Sequence, residues 1–187
     1  MHKYTQEELD NVLVLHIRWW GGNAKGARAD LSYADLSGLN LSNANLTYAN
    51  LFNANLSEAN LSRANLSEAI LFKANLSCSD LSCADLSEAY LTYANLYKAN
   101  LCDADLSDAN LSEANLQGVV GARYIMLQGN RHGLQYNIDT QELRIGCQVH
   151  SLQHWLEHGL EIAKEHEYSE ADIKAYSKLI NTLGEYK

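Results

Sequence analysis

From Ala29 to Gly118 the chain reads ADLSY ADLSG LNLSN ANLTY ANLFN ANLSE ANLSR ANLSE AILFK ANLSC SDLSC ADLSE AYLTY ANLYK ANLCD ADLSD ANLSE ANLQG. Leucine stands at every fifth residue from Leu31 to Leu116 without exception. Ala precedes it by two places except at Leu39 and Ser79, and Asn or Asp directly precedes it in all units but those of Ile70 and Tyr90. A period of five matches neither a 3.6-residue helix nor a straight two-residue strand, so the chain must turn at every unit. With Ala and Leu on the same side of a short extended segment, the residues between one Leu and the next Ala round a corner and face water. Leucine and alanine then fill the axis of a coil.

A second period sets the number of corners. Ile70 and Tyr90 are twenty residues apart, as are Phe52 and Phe72, the only phenylalanines. Both spacings fit four units per coil. On these residues the A-[DN]-L-x-x run, roughly half of the chain, resembles the pentapeptide-repeat family. The resemblance implies an all-β solenoid, a right-handed quadrilateral β-helix, and the four-sided geometry rests mainly on it. The core ladder is then Leu31, Leu36, Leu51, Leu71, Leu91, Leu111 and their equivalents. The expected organisation is a capping helix over 1–22, the β-helix over 23–123, and a small α/β extension over 124–187 built of a hairpin and two helices.

The chain has 187 residues and a net charge of −9. It shows no secretion signal and no apolar run long enough for a membrane span. Cys78, Cys83, Cys102 and Cys147 follow no disulfide framework, which predicts reduced thiols and a cytoplasmic protein. Proline is absent, as suits a backbone engaged in ladder hydrogen bonds.

Ahead of the repeats, Thr5 reads as the N-cap of a helix with Glu7 and Glu8 in its first turn. Leu9, Val12, Leu13, His16, Ile17 and Trp20 fall on one stripe, and Gly21 and Gly22 stop the helix. This apolar face predicts a lid over the first coil, because a solenoid end exposes core leucines and unpaired ladder groups. The alternative makes Trp19 and Trp20 an anchor for a partner or a membrane. Lys3 and Arg18 are too few cations to favour the membrane.

Taking every fourth unit unrolls the repeats onto four faces. The face of Leu31, Leu51, Leu71, Leu91 and Leu111 carries Tyr33, Phe52, Ile70, Phe72, Tyr90 and Tyr93 outward, where the other faces hold mostly Ser, Asn, Asp and Glu. Such a stripe is rarely left bare on a monomer. Either the chain's own termini cover it or another molecule does. The next face presents Glu68, Asp85, Glu88, Asp105 and Asp108, with no Lys or Arg. Between residues 29 and 118 eleven acids stand against Arg63, Lys73 and Lys98, a net of −8. Over about five coils stacked at ~4.8 Å this is roughly one charge per 3 Å, about half the density of duplex DNA. It argues against binding nucleic acid directly and is compatible with either solubility or imitation of DNA. Some members of the family bind DNA gyrase as acidic dimeric rods, so the resemblance implies gyrase as an alternative partner. This chain has none of the loop insertions of the drug-resistance members.

After Gly118 the pattern fades. Leu134 to Ile138 and Leu143 to Ile145 flank Asp139 to Glu142 and predict a hairpin. Ser151 caps a predicted helix from Leu152 to about His166, with Leu152, Trp155, Leu156, Leu160 and Ala163 on its buried side. Ser169 caps a second, with Ile173, Tyr176, Ile180 and Leu183 on one face. Cys147-x-x-His150, with His154, His158 and His132 nearby, is the one constellation with chelating spacing. No carboxylate, nucleophile or glycine-rich loop is organised around it, so these histidines are expected to face solvent or cap. The sequence thus predicts no catalytic residue, no metal and no cofactor. The stretch from His16 through Trp19, Trp20 and Gly21, and the run Ile145-Gly146-Cys147-x-x-His150-Ser151-Leu152-x-x-Trp155-Leu156, are similar to the flanks of phage- and prophage-encoded members. The reading is a non-enzymatic, cytoplasmic interaction scaffold, a homodimer with an unidentified protein partner, touching neither nucleic acid nor membrane. Its rival is a DNA-mimic regulator of gyrase or topoisomerase.

Overall fold

The structure, a computed structural model, describes residues 1–120, 125–127, 134–137, 142–145, 148–166, 168–170, 173–174, 177 and 180. The chain forms two compact units, Met1–Ala122 and Arg123–Lys187.

In the first unit every pentapeptide turns one corner. The Ala N–H donates back to the preceding Leu carbonyl, as from Ala34 to Leu31 at 3.1 Å. The residue two places after Leu is left-handed, from Asn53 at φ 53° to Gly118 at φ 71°. A four-residue turn with positive φ at its third residue is type II, which ordinarily asks for Gly there. Here only Gly38 and Gly118 meet that preference, and sixteen corners carry other side chains, Glu58, Arg63 and Tyr93 among them. The inter-coil bonds hold these residues in place. Leu31 N–H donates to Asn50 O at 2.7 Å, Asn50 N–H to Ala29 O at 2.9 Å, and Tyr33 N–H to Phe52 O at 2.9 Å, and the pattern repeats down the stack.

All bridging pairs in the walls are parallel and twenty residues apart, from Asp30↔Asn50 to Asn100↔Val120. Four units therefore close one coil. We count coils from residues 29, 49, 69, 89 and 109. Each wall is one bridging residue wide, so the walls stack without long strands. The leucines and most of the alanines two places before them are buried, Leu36, Leu51, Leu71 and Leu91 at 0% exposure and Leu31 and Leu111 at 1% and 4%. Ser79 replaces Ala inside the wall without an orphaned hydroxyl, because its Oγ donates to Leu76 O at 2.7 Å. Along one wall the pre-leucine side chains form a ladder. Asn55, Asn75, Asn95 and Asn115 each donate Nδ2–H to the Oδ1 one coil earlier, beginning at Asp35, over 3.0–3.1 Å. The same Oδ1 atoms accept a backbone N–H two residues on, as Ser57 N–H does to Asn55, which fixes the start of each turn.

The first coil has no predecessor, and the N-terminal segment supplies the missing partners. Strand β1 (His2–Lys3) pairs in parallel with β2 (Ala34–Asp35), and Tyr4 N–H continues it to Asp35 O at 3.0 Å. Helix α1 (Gln6–Trp20) starts at Thr5 with a capping box closed by Glu8. Its Gln6 amide copies a backbone peptide: Nε2 donates to Asn40 O and Oε1 accepts from Asn40 N–H, both at 2.9 Å. One turn from its end, His16 Nδ1 accepts from Ala29 N–H at 3.0 Å. The buried side of α1 is narrower than the predicted stripe. Leu9 and His16 are fully buried, whereas Ile17 and Trp20 are 54% and 51% exposed. Trp19, stacked on His16 at 5.4 Å, takes the inner position instead.

The second unit holds more sheet than the predicted hairpin. Strands β3 (Ile125–Leu127), β4 (Leu134–Asn137), β5 (Glu142–Ile145) and β6 (Gln148–Ser151) form an antiparallel sheet in that order. Helix α2 (Leu152–Glu165) follows, capped by Ser151 Oγ, which accepts from His154 N–H. Leu152, Trp155, Ile162 and Ala163 are buried, and Trp155 Nε1–H donates to Leu143 O at 2.7 Å. Leu160, expected inside, is 58% exposed, and Ile162 fills the inward place. Glu170, Ile173, Lys174, Ser177 and Ile180 are helical, beginning with Ile173 N–H to Ser169 O at 2.9 Å. Ile138, Asp139, Tyr176 and Leu183 lie outside the described residues.

Candidate interaction site

The twenty-residue coil turns sequence columns into surface columns. On the wall of Leu31, Leu51 and Leu71, four rings run up the stack. Tyr33 meets Phe52 edge-on at 5.2 Å, Phe52 stacks on Phe72 at 5.7 Å and 2°, and Phe72 meets Tyr93 edge-on at 5.6 Å. Beside them Ile70 and Tyr90 bridge one another on successive coils. The tyrosines stand outermost, Tyr33, Tyr90 and Tyr93 being 52–56% exposed, while Phe52, Phe72 and Ile70 are half-buried between coils. Lys73 borders the ridge, its Nζ 5.4 Å from the Phe72 ring centre and 6.0 Å from that of Tyr93.

The neighbouring wall holds two carboxylate columns. Asp85 and Asp105 bridge each other directly. Glu68, Glu88 and Asp108 occupy one corner on successive coils, held by Glu68 N–H to Ser87 O and Glu88 N–H to Ser107 O at 2.9 and 2.8 Å. Ser107 donates its hydroxyl and its N–H to the Asp105 carboxylate, which keeps that group below the usual carboxylate range. Tyr48 tops the corner column. Its hydroxyl is bonded to Glu68, which pushes the phenol above its ordinary value. The sequence reading missed one cation here: Arg28, from ahead of the repeats, donates Nε–H to Tyr48 O at 2.6 Å. Trp20 also reaches this end, 5.8 Å from the Tyr48 ring. A coil-by-coil tally starting at Ala29 could not show either.

In the second unit the histidines stack. His150 and His154 lie 4.6 Å apart at 30°, His154 and His158 4.7 Å apart at 41°, and His150 meets Trp155 edge-on. Desolvation, then the neighbouring His154 and His166, lower the pKa of His150. Among the described residues no group of three or more His, Cys, Asp and Glu is arranged to hold a metal. Cys147 and His132 lie outside the described residues. Cys78, Cys83 and Cys102 are exposed on the repeat walls.

A family model described as pentapeptide repeats, in eight copies, matches residues 27–51, 49–87 and 84–120. The chain belongs to the pentapeptide repeat family. Members of this family adopt a right-handed quadrilateral β-helix, and the parallel bridges twenty residues apart described above agree with its four units per coil. Among solved pentapeptide repeat structures, the chain is 42% identical to HetL, involved in heterocyst differentiation regulation in the cyanobacterium Nostoc sp. strain PCC 7120, over 50% of this chain and 45% of that one, with a TM-score of 0.48. It is 39% identical to Rfr23 from the cyanobacterium Cyanothece 51142, over 49% and 63% of the two chains, again with a TM-score of 0.48. It is 21% identical to QnrB1, a plasmid-mediated fluoroquinolone resistance protein, over 49% and 60%, with a TM-score of 0.32. The chain thus covers less than two thirds of the length of each of these pentapeptide repeat proteins. No curated protein matches it.

Proposed function

We propose that this pentapeptide repeat protein is a non-catalytic interaction scaffold whose repeat unit presents the aromatic wall to a protein partner in the cytoplasm. The observation that carries the reading is the continuous ridge from Tyr33 through Phe52 and Phe72 to Tyr93, exposed beside Ile70 and Tyr90. Aromatic side chains of this kind are enriched at the centres of protein interfaces. The test places a photo-crosslinking phenylalanine analogue at Phe52 or, as a control, at Glu58 on another wall, in cells that express the full chain. A discrete adduct at Phe52 alone is expected; equal labelling at both positions, or none, refutes the reading.

The scaffold forms a homodimer through its second unit, a proposal supported by Leu160 and Val149, 58% and 41% exposed there. Light scattering of the full chain should give the dimer mass, and Leu160→Glu should give the monomer. A monomeric parent chain removes the dimer.

A second reading, regulation of DNA gyrase by imitation of DNA, is supported by the paired carboxylate columns Asp85–Asp105 and Glu68–Glu88–Asp108. It predicts salt-sensitive inhibition or protection of gyrase supercoiling by the purified protein. No effect at micromolar concentration discards it.

A further inference from the structure

We propose that the aromatic wall docks a basic amphipathic α-helix of a protein partner, laid along the direction in which the coils stack, with its cations on the side of Glu68 and Glu88. The proposal rests on the scaffold reading above and names the class of partner.

The order of side chains across the wall gives the charge pattern. A single pass of chain runs Glu68, Ile70, Phe72, Lys73, and the next runs Glu88, Tyr90, Thr92, Tyr93. Ile70↔Tyr90 and the bond from Lys73 N–H to Thr92 O, 3.1 Å, hold the two passes in register. In these two passes the acids lie on one flank only, two residues or roughly 7 Å from the Ile70–Tyr90 column, and Glu113 joins the other flank one coil beyond Tyr93. On the other flank Lys73 lies against the Phe72 and Tyr93 rings. A complementary ligand is apolar in the middle and cationic on one side, as an amphipathic helix is and a uniformly basic surface is not.

Spacing separates a helix from a strand. Successive coils offer a ring every ~4.8 Å, and a helix rises 5.4 Å per turn, so over the three steps from Tyr33 to Tyr93 the two drift apart by only about 2 Å. Side chains at i, i+4, i+7 and i+11 of such a helix meet successive coils. An extended strand repeats its facing side chains every ~6.7 Å and drifts by about 6 Å over the same distance, more than a full coil. The ridge is also pre-ordered, each ring being held by its neighbours at 5.2–5.7 Å, so docking freezes few rotamers.

The test titrates the full-length protein into fluorescently labelled synthetic peptides of about 14 residues, enough to span the ridge at 1.5 Å per residue. One is a leucine–lysine helix, one a leucine–glutamate helix, and one an alternating leucine–lysine strand. The leucine–lysine helix should bind in preference to both others. Its affinity should fall by at least about tenfold in Phe52→Ser/Phe72→Ser and in Glu68→Lys/Glu88→Lys, a loss typical of interface centres. It should hold in Glu58→Lys/Asp103→Lys, which makes the same charge change on other walls. Equal loss in the two lysine variants would reduce the effect to general attraction by an acidic protein and overturn the proposal. So would better binding by the strand, or no binding by the helix. If Phe52→Ser/Phe72→Ser instead turns a dimer into a monomer in light scattering, the wall belongs to a second copy. The helix proposal and the dimer through the second unit then both fall, while the non-catalytic scaffold stands.

Discussion

The N-terminal latch should open in acid, and His16 is the reason. In the folded chain His16 is fully buried and its Nδ1 accepts the Ala29 N–H at 3.0 Å, so the neutral ring carries its proton on Nε2. Burial, the largest influence, lowers its pKa below the ordinary 6.5, with Thr47 opposing and nearby Arg28 reinforcing the shift. The sign follows. The unfolded chain takes up a proton at higher pH than the folded one, so the latch keeps its full strength above 6.5 and loses it as the pH falls through the folded value. Protonation at Nδ1 turns the acceptor into a donor aimed at Ala29 N–H. It forfeits a bond of about 0.5–1.5 kcal/mol and leaves a buried donor unpaired at about 1–3 kcal/mol more. However large that local cost, linkage to an open-state pKa of 6.5 caps the weakening between pH 7.5 and pH 5 at about 2 kcal/mol, or roughly thirtyfold in the opening equilibrium. Hydrogen exchange at pH 7.5 and at pH 5, corrected for the intrinsic rate, reads this directly. Protection at Ala29 and at Ala27, whose N–H is bonded to Leu15 O, should collapse while that at Leu61 and Leu71 stays constant. In His16→Gln, which offers a neutral acceptor at both pH values, the difference should vanish. Unchanged protection at Ala29 across that range, or an imidazole that titrates above 6.5 by NMR, would refute the argument.

Other expectations follow from the walls. Leu71→Ala, at a fully buried site in the third coil, should cost about 3–5 kcal/mol in denaturant unfolding. Glu58→Gly should raise the melting temperature by relieving a left-handed residue at φ 59°; the cost of about 1–2 kcal/mol there exceeds the ~0.5–1 kcal/mol of added glycine flexibility. Glu58→Val should lower it. Asn75→Asp removes the Nδ2 donor to Asn55 and sets two oxygens face to face at the former 3.1 Å; thermal melts should show a loss of about 1–3 kcal/mol at neutral pH that shrinks once the new carboxyl is protonated.

The leucine period was enough to read the winding of the first unit, because a buried side chain every fifth residue leaves the backbone few alternatives. The coil count was legible only where a column broke type, at Ile70 and Tyr90 and at Phe52 and Phe72. The left-handed corners were hidden because Glu58, Arg63 and Tyr93 carry no turn signature, their conformation being imposed by bonds to the next coil. In the second unit β6, Gln148–Ser151, has a mostly polar sequence with half-buried and exposed residues alternating, and β3, Ile125–Leu127, is apolar throughout but too short at three residues to show a strand period. The columns of the candidate site could be drawn from the sequence. The Gln6 amide that imitates a peptide and the reach of Arg28 to Tyr48 depend on where α1 lands, which no local pattern records.

Because every bridge in the walls pairs residues twenty apart, the exterior can be reorganised without touching the interior. Excising five residues from the middle of the repeats would leave each leucine with a leucine to stack on, yet everything downstream would swing by a quarter turn. Excising twenty would shorten the stack by one storey and keep all columns aligned. Slippage of a gene by one unit would therefore shuffle which side chains share a wall, whereas duplication by four would extend an existing docking surface, with the leucine core following the same rule in both cases.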